Sequence, residues 1–170
     1  MSFDSLGLMA TLQRTVADLG WFDATPIQAQ AIPAVLQGFD VWATAPTGSG
    51  KTLAFALPLV QQHLTSPRQT NFRRPIRTLV LVPTRELAVQ VGEVFAHLGH
   101  VHNLKVAVVY GGVSINPQMM GLRGGADIVV ATPGRLLDLV DHNALRLSDV
   151  QHLVLDEADR LLDLGFADEL

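Results

Sequence analysis

The sequence predicts an α/β domain: a mostly parallel sheet with helices on both faces. Three observations predict it. Five short runs rich in β-branched residues alternate with segments of helical apolar spacing. Most of those runs are apolar at consecutive positions, the pattern of strands buried on both faces. The chain has 170 residues and is 48% hydrophobic, enough for one domain with a core.

The elements follow in order. Leu8, Leu12, Val16 and Leu19 recur at helical spacing, and residues 40–44 read as the first strand. Leu53, Leu57 and Val60 mark the next helix. Residues 65–77 read as a loop-like insert, with Pro67, Pro75 and the arginines Arg68, Arg73, Arg74 and Arg77, taken as a solvated loop rather than a nucleic-acid patch. Strand 78–82 precedes a helix marked by Leu87, Val91, Val94 and Phe95. Strands 105–110 and 127–131 come next, then a helix with Leu136, Leu137 and Val140, strand 152–155 and a helix over 158–164. Ligands of such folds bind beyond the carboxyl ends of the strands. Unusual segments lie there after Thr44, Val82 and Leu155.

Composition narrows the function. There is no cysteine, which removes disulfides, thiolate zinc sites and cysteine nucleophiles. No apolar run reaches the roughly 18–20 residues of a membrane span. The first residues lack the basic start and apolar stretch of a secretory signal, so a cytoplasmic protein is expected. The net charge of −4 means that any contact with nucleic acid is local. His97, His100 and His102 stand close together, but they straddle a helix end without an acid trio, so a solvated cluster is expected rather than a metal site.

Residues 45–52, Ala-Pro-Thr-Gly-Ser-Gly-Lys-Thr, follow an expected strand and open an expected helix. Phosphate needs backbone N–H groups that point inward, and glycines let the chain curl closely enough to supply them. The helix N-terminus adds positive potential. Thr47, Gly48, Ser49 and Gly50 form the cradle, Lys51 neutralises the β and γ phosphates, and the Thr52 hydroxyl ligates Mg²⁺. Ala45 stands where the general pattern has glycine. The alternative is a glycine turn that caps a helix beside a chance lysine.

Asp156-Glu157-Ala158-Asp159 follows the run 152–155. An acid at the end of such a strand holds Mg²⁺, usually through water, and a second acid beside it deprotonates the attacking water. Asp156 is the expected metal residue and Glu157 the expected general base. An acid that caps the helix from Ala158 is the alternative, and it accounts for only one carboxylate.

These motifs lead to a family. The sequence resembles the N-terminal RecA-like domain of DEAD-box ATP-dependent RNA helicases, and the bacterial RhlE-like branch in particular. Residues 20–28, with Phe3 upstream, resemble the Q motif, and 45–52 resemble motif I. Pro83-Thr84-Arg85-Glu86-Leu87-Ala88 resembles motif Ia, and Gly111-Gly112 the glycine doublet. Thr132-Pro133-Gly134-Arg135 resembles motif Ib, and 156–159 motif II. Six motifs in order cover essentially the whole chain. There are departures. Ala24 stands where the family usually has proline, and Pro46 where glutamine is common. The family's Ser-Ala-Thr motif and second RecA-like domain, with its arginine finger, do not occur in these residues. An incomplete N-terminal domain spanning 1–170 is therefore expected.

The resemblance implies roles. Gln28 reads the adenine edge of ATP, as an amide that both donates and accepts can. Phe3 stacks on the base or walls it, and Thr25 adds a hydroxyl. Pro83, Thr84, Arg85, Gly111, Gly112, Thr132, Pro133, Gly134 and Arg135 bind RNA through its sugar-phosphate backbone. A second RecA-like domain of the full-length protein closes over both ligands. The competing functions are another P-loop ATPase, such as a DNA-acting helicase, and a nucleotide-responsive adaptor without catalysis.

Overall fold

The computed structural model describes residues 2–66 and 73–170. The chain divides into two compact units, Met1–Pro67 and Arg68–Leu170.

In the first unit the 3-10 turn Phe3–Leu6 begins under Ser2, whose Oγ accepts from the Asp4 N–H at 3.3 Å. Three helices follow: α1, Ala10–Asp18; α2, Pro26–Leu36; and α3, Lys51–Thr65. Pro26 sits in the first turn of α2, where its missing N–H would have no intrahelical partner. Helices α2 and α3 pack together, and both bury apolar side chains, Ile32 on one and Leu57 and Val60 on the other.

Residues 40–44 depart from the sequence reading. They form no strand, and Val41 and Trp42 are 42% and 91% exposed. The run has a strand's composition. A ladder also needs a neighbour for its N–H and C=O groups, and no described strand pairs with it.

The second unit holds a four-stranded, all-parallel sheet of β1 Thr78–Leu81, β2 Val106–Val109, β3 Ile128–Ala131 and β4 His152–Leu155, in the order β2-β3-β1-β4. Helices α4 (Arg85–His100), α5 (Asn116–Gly121) and α6 (Pro133–Asp141) make the crossovers, and α7 (Ala158–Asp163) follows β4. The central strands β1 and β3 bury every residue, as consecutive apolar runs predict. The edge strand β4 instead alternates, with Leu153 and Leu155 exposed.

Period-two geometry sends alternate residues to opposite faces. Leu79, Leu81, Val129 and Ala131 join Leu136 and Leu139 of α6 and Leu161 of α7 in one buried cluster. Helix α4 packs against β2 and β3. There a Cβ on Gly92 would stand 2.2 Å from Val108 Cγ2, so glycine sets how near the helix lies to the sheet.

The amino ends of the strands are tied by Asp127. Its Oδ2 accepts from the Lys105 N–H at 2.7 Å and pairs with Arg74 Nη1 at 2.6 Å. Arg74 also donates to the Asn103 carbonyl at 2.8 Å, and Arg73 to the carbonyls of Leu122 and Ala144. The expected solvated arginine loop is thus anchored at these two residues; Arg68 lies outside the described residues. No described helix is long and apolar enough to cross a membrane.

Candidate functional site

In the first unit the phosphate loop runs into α3. Gly48 and Gly50 take the left-handed conformation, with φ of 79° and 89°, and Gly50 is the N-cap of the helix. The Lys51 ammonium folds back onto the loop, donating to the carbonyl of Ala45 and, at 3.3 Å, to that of Pro46. Thr47 and Gly48 are exposed, and Thr52 is half-buried in the first turn of α3. The Ser49 hydroxyl is buried and has no hydrogen-bond partner.

Gln28 ties α2 to this loop. It is 3% exposed. Its Oε1 accepts from the Thr25 N–H at 2.9 Å, and its Nε2 donates to the Gly50 carbonyl at 3.1 Å. A carboxamide offers two N–H groups and two lone pairs, so one of each remains. A side chain at Gly50 would meet Gln28 Nε2 at 2.4 Å and Thr25 Oγ1 at 3.2 Å, beyond the strain of its backbone. Thr25, Gln28 and the loop are therefore one cluster. Phe3 is 3% exposed and presents no open face.

In the second unit the parallel register aligns the carboxyl ends of the strands. Leu81 lies opposite Ala131 on one side and Leu155 on the other, and Val109 opposite Ala131. Four expected segments therefore share one edge of the sheet. From β2 to β4 they are the glycine doublet 111–112, residues 132–135, residues 83–85 and Asp156-Glu157.

Helix starts punctuate this edge. The Thr84 hydroxyl caps α4, accepting from the Leu87 N–H at 3.3 Å. Pro83 is buried, and Arg85 is exposed, its guanidinium 4.9 Å from the centre of the Tyr110 ring. Thr132 is the N-cap of α6 and Pro133 its first residue. Gly134 is exposed with open space where a Cβ would stand, as are Gly111 and Gly112. Arg135 is 8% exposed, and its Nη2 donates to the Val113 carbonyl at 2.7 Å.

Asp156 is buried, and its N–H extends the ladder to the Leu81 carbonyl at 3.0 Å. Its Oδ1 accepts from the Glu157 N–H at 3.0 Å. Glu157 adopts φ 51° and ψ 51°, left-handed for a residue with a side chain, which turns the chain sharply into α7. The Glu157 carboxylate stands 3.4 Å from Arg160 Nη1.

A family model described as DEAD/DEAH box helicase matches residues 25–170. This chain belongs to that family. The DEAD-box ATP-dependent RNA helicase CshA of Streptococcus pneumoniae serotype 4 is 46% identical over 170 residues, which cover 100% of this chain and 31% of that protein. The probable ATP-dependent RNA helicase ddx27 of Dictyostelium discoideum is also 46% identical, over 99% of this chain and 21% of that one. Among solved structures, the yeast DEAD-box splicing factor Prp28 superposes with a TM-score of 0.91 at 36% identity, over 99% of this chain and 41% of its own. A hypothetical ATP-dependent RNA helicase from Sulfolobus tokodaii gives 0.83 at 38%, over 95% and 45%. The fold is thus the RecA-like α/β fold of this family, and the chain spans less than half the length of these relatives.

Sequence reasoning missed one residue of the DEAD-box edge. Gln118 on α5 binds the backbone of Tyr110, its Oε1 accepting from the Tyr110 N–H at 3.1 Å and its Nε2 donating to the Tyr110 carbonyl at 3.0 Å. Helix α5 has six residues and buries none, so no periodicity draws attention to it. The histidines lie apart from this edge, His97 and His100 in the last turn of α4. His97 Nδ1 is paired with the Glu93 carbonyl at 2.7 Å.

Proposed function

We propose that this chain is the ATP- and RNA-binding half of a DEAD-box ATP-dependent RNA helicase, which couples ATP hydrolysis to RNA duplex unwinding in the full-length protein. One observation carries the reading. The parallel register gathers the glycine doublet, residues 132–135, residues 83–85 and Asp156-Glu157 at one sheet edge, where α/β folds bind ligands. Relatives named as ATP-dependent RNA helicases, 46% identical over the chain, support it.

The phosphate loop fits a triphosphate. Two left-handed glycines curl it, a buried Ser49 hydroxyl awaits a partner, and the Lys51 ammonium has only neutral carbonyls to exchange for phosphate. In this reading Thr47, Gly48, Ser49, Gly50, Lys51 and Thr52 hold the phosphates. Gln28, as the Q-motif residue, offers its remaining N–H and lone pair to adenine and Thr25 lies beside it, whereas the expected Phe3 contact with the base finds no open face, Phe3 being buried. Thr52 and Asp156 are the residues that would hold Mg²⁺, Asp156 through water. That ion, when bound, supplies positive charge to the phosphates. Glu157 would take the proton of the attacking water; only its Oε2 is paired with Arg160, at 3.4 Å.

RNA lies along Pro83, Thr84, Arg85, Gly111, Gly112, Thr132, Pro133, Gly134 and Arg135. Helix N-termini, hydroxyls and open glycine backbone suit phosphate and 2′-OH groups without reading sequence. A second RecA-like domain supplies the remaining charge, and the full-length protein works in the cytoplasm.

Lys51→Ala tests the reading directly. Loss of a hydrogen bond to a charged group should weaken ATP binding about 10- to 100-fold. Unchanged affinity would remove Lys51 from the phosphate site. These residues without an arginine finger, worth on the order of 10³–10⁵ in rate, should bind nucleotide yet barely hydrolyse it. Competition between single-stranded RNA and DNA at fixed salt separates an RNA helicase from a DNA-acting relative.

A further inference from the structure

The exposed glycine doublet is tied at both ends. At its start, the Gln118 carboxamide takes both backbone groups of Tyr110, accepting from the N–H at 3.1 Å and donating to the C=O at 3.0 Å. At its end, Arg135 Nη2 donates to the Val113 carbonyl at 2.7 Å. The Tyr110 ring itself lies under the Arg85 guanidinium, 4.9 Å from centroid to cation.

Between these ties Gly111 and Gly112 are exposed. A Cβ at either would find open space, and Gly112 has a φ of 79°. Such a stretch of backbone should be floppy, since glycine loses more freedom on ordering than any other residue. The ties fall just outside the doublet and leave the two glycines themselves exposed. The Arg135 side chain is buried and Gln118 is half-buried, and both are engaged with loop backbone. Arg135 is 8% exposed, and Gln118 spends one donor and one acceptor on a single residue.

We propose that Gln118 and Arg135 are positioning residues that hold the 110–113 loop in the shape that receives an RNA phosphate, and that Arg135 acts through Val113 rather than by touching RNA. The inference rests on the RNA-binding reading above, revises it at Arg135, which here acts indirectly, and extends it to Gln118, a residue outside the family motifs. A preformed loop does not lose its conformational freedom at the moment of binding. Arg85 has the matching role: its cation lies over the Tyr110 ring, 4.9 Å from the centroid, beside the doublet.

The test uses the protein at its full natural length, with Gln118→Ala and, should that variant fold poorly, Gln118→Glu. The glutamate keeps an acceptor for the Tyr110 N–H and has no donor for the Tyr110 carbonyl. Two readouts are needed: amide hydrogen exchange across 110–115 without nucleic acid, and titration with a single-stranded RNA and with ATP. Faster exchange confined to this loop is expected, with RNA affinity about tenfold weaker and ATP affinity unchanged. In hydrogen exchange, Gln118→Glu should fall between wild type and alanine. Unchanged exchange and unchanged RNA affinity in Gln118→Ala would overturn the proposal. If wild type binds no RNA, the functional reading fails instead, and the exchange result still decides whether Gln118 holds the loop. For Arg135, the alanine variant should speed exchange at Val113 and Ser114. A loss of RNA affinity with exchange unchanged would make it a direct ligand and overturn its assignment.

Discussion

Replacing Gln28 separates two roles that one side chain combines. As an adenine reader its loss should matter only when nucleotide is present. The structure adds a role in the free protein, because the amide accepts from the Thr25 N–H at 2.9 Å and donates to the Gly50 carbonyl at 3.1 Å. Each such bond contributes about 0.5–1.5 kcal/mol net. Gln28→Ala removes both and leaves two backbone groups to find water at a site only 3% exposed, so about 2 kcal/mol is expected. For a chain of this size that lowers the melting midpoint by about 4–8 °C. The assay is thermal unfolding without nucleotide, followed by titration with ATP and GTP. Gln28→Glu keeps the acceptor for Thr25 and turns the donor for Gly50 into a second acceptor, so it should recover less than half of the lost stability. A nucleotide-free midpoint equal to that of wild type would refute the strut, whatever happens to the preference for ATP over GTP.

Further perturbations follow from the same geometry. Gly50→Ala combines left-handed strain, about 1–2 kcal/mol, with a Cβ only 2.4 Å from Gln28 Nε2; it should lower stability and ATP affinity together, and a normal melting curve would contradict the close approach. Asp127→Ala should cost about 2–3 kcal/mol in urea unfolding, since a charged acceptor for Arg74 and the Lys105 N–H is lost, and Asp127→Asn should recover part of it. His152 has its pKa lowered from the ordinary 6.5, first by burial and then by the charge of Arg77. The unfolded chain therefore takes up the proton first as pH falls. Stability from the neutral ring is complete above 6.5 and is lost as pH drops through the lower folded value. Stability measured from about pH 7 down to about pH 5 should fall more steeply for wild type than for His152→Asn, and equal slopes would exclude the histidine as the cause.

Much of this was legible in the sequence, for identifiable reasons. The strands β1 and β3 are buried on both faces, so consecutive apolar residues at 79–82 and 128–131 announced them. The glycines at 48, 50 and 112 announced backbone conformations that other residues avoid. What failed to show had no local signature. Residues 40–44 carry the apolar run of a strand, but composition reports what a segment would bury, not whether a neighbour pairs with it. The alternation of β4 follows from its place at the sheet edge, which only the topology fixes. Arg135 reads as a phosphate ligand in isolation, and its burial against Val113 depends on a loop 22 positions earlier.

The two glutamines argue for one device. At Thr25 and Gly50, and again at Tyr110, a carboxamide takes one backbone N–H and gives to one backbone C=O. Each lies beside a glycine segment that, in the proposed function, stays open to a ligand. Regular structure cannot satisfy such backbone, because a strand or helix neighbour would cover it. Water could, but it would leave the segment free to move. Among short uncharged side chains, a primary carboxamide can donate and accept at separate atoms. It adds no charge to compete with phosphate, whereas a glutamate would repel the ligand and a lysine would attract it to the wrong atom. On this argument Gln28→Glu and Gln118→Glu should fail for the same electrostatic reason, each losing more affinity for its own anion than the lost hydrogen bond alone explains. Raising the salt concentration should then recover part of the Gln118→Glu defect in RNA binding relative to wild type, and none of the Gln118→Ala defect.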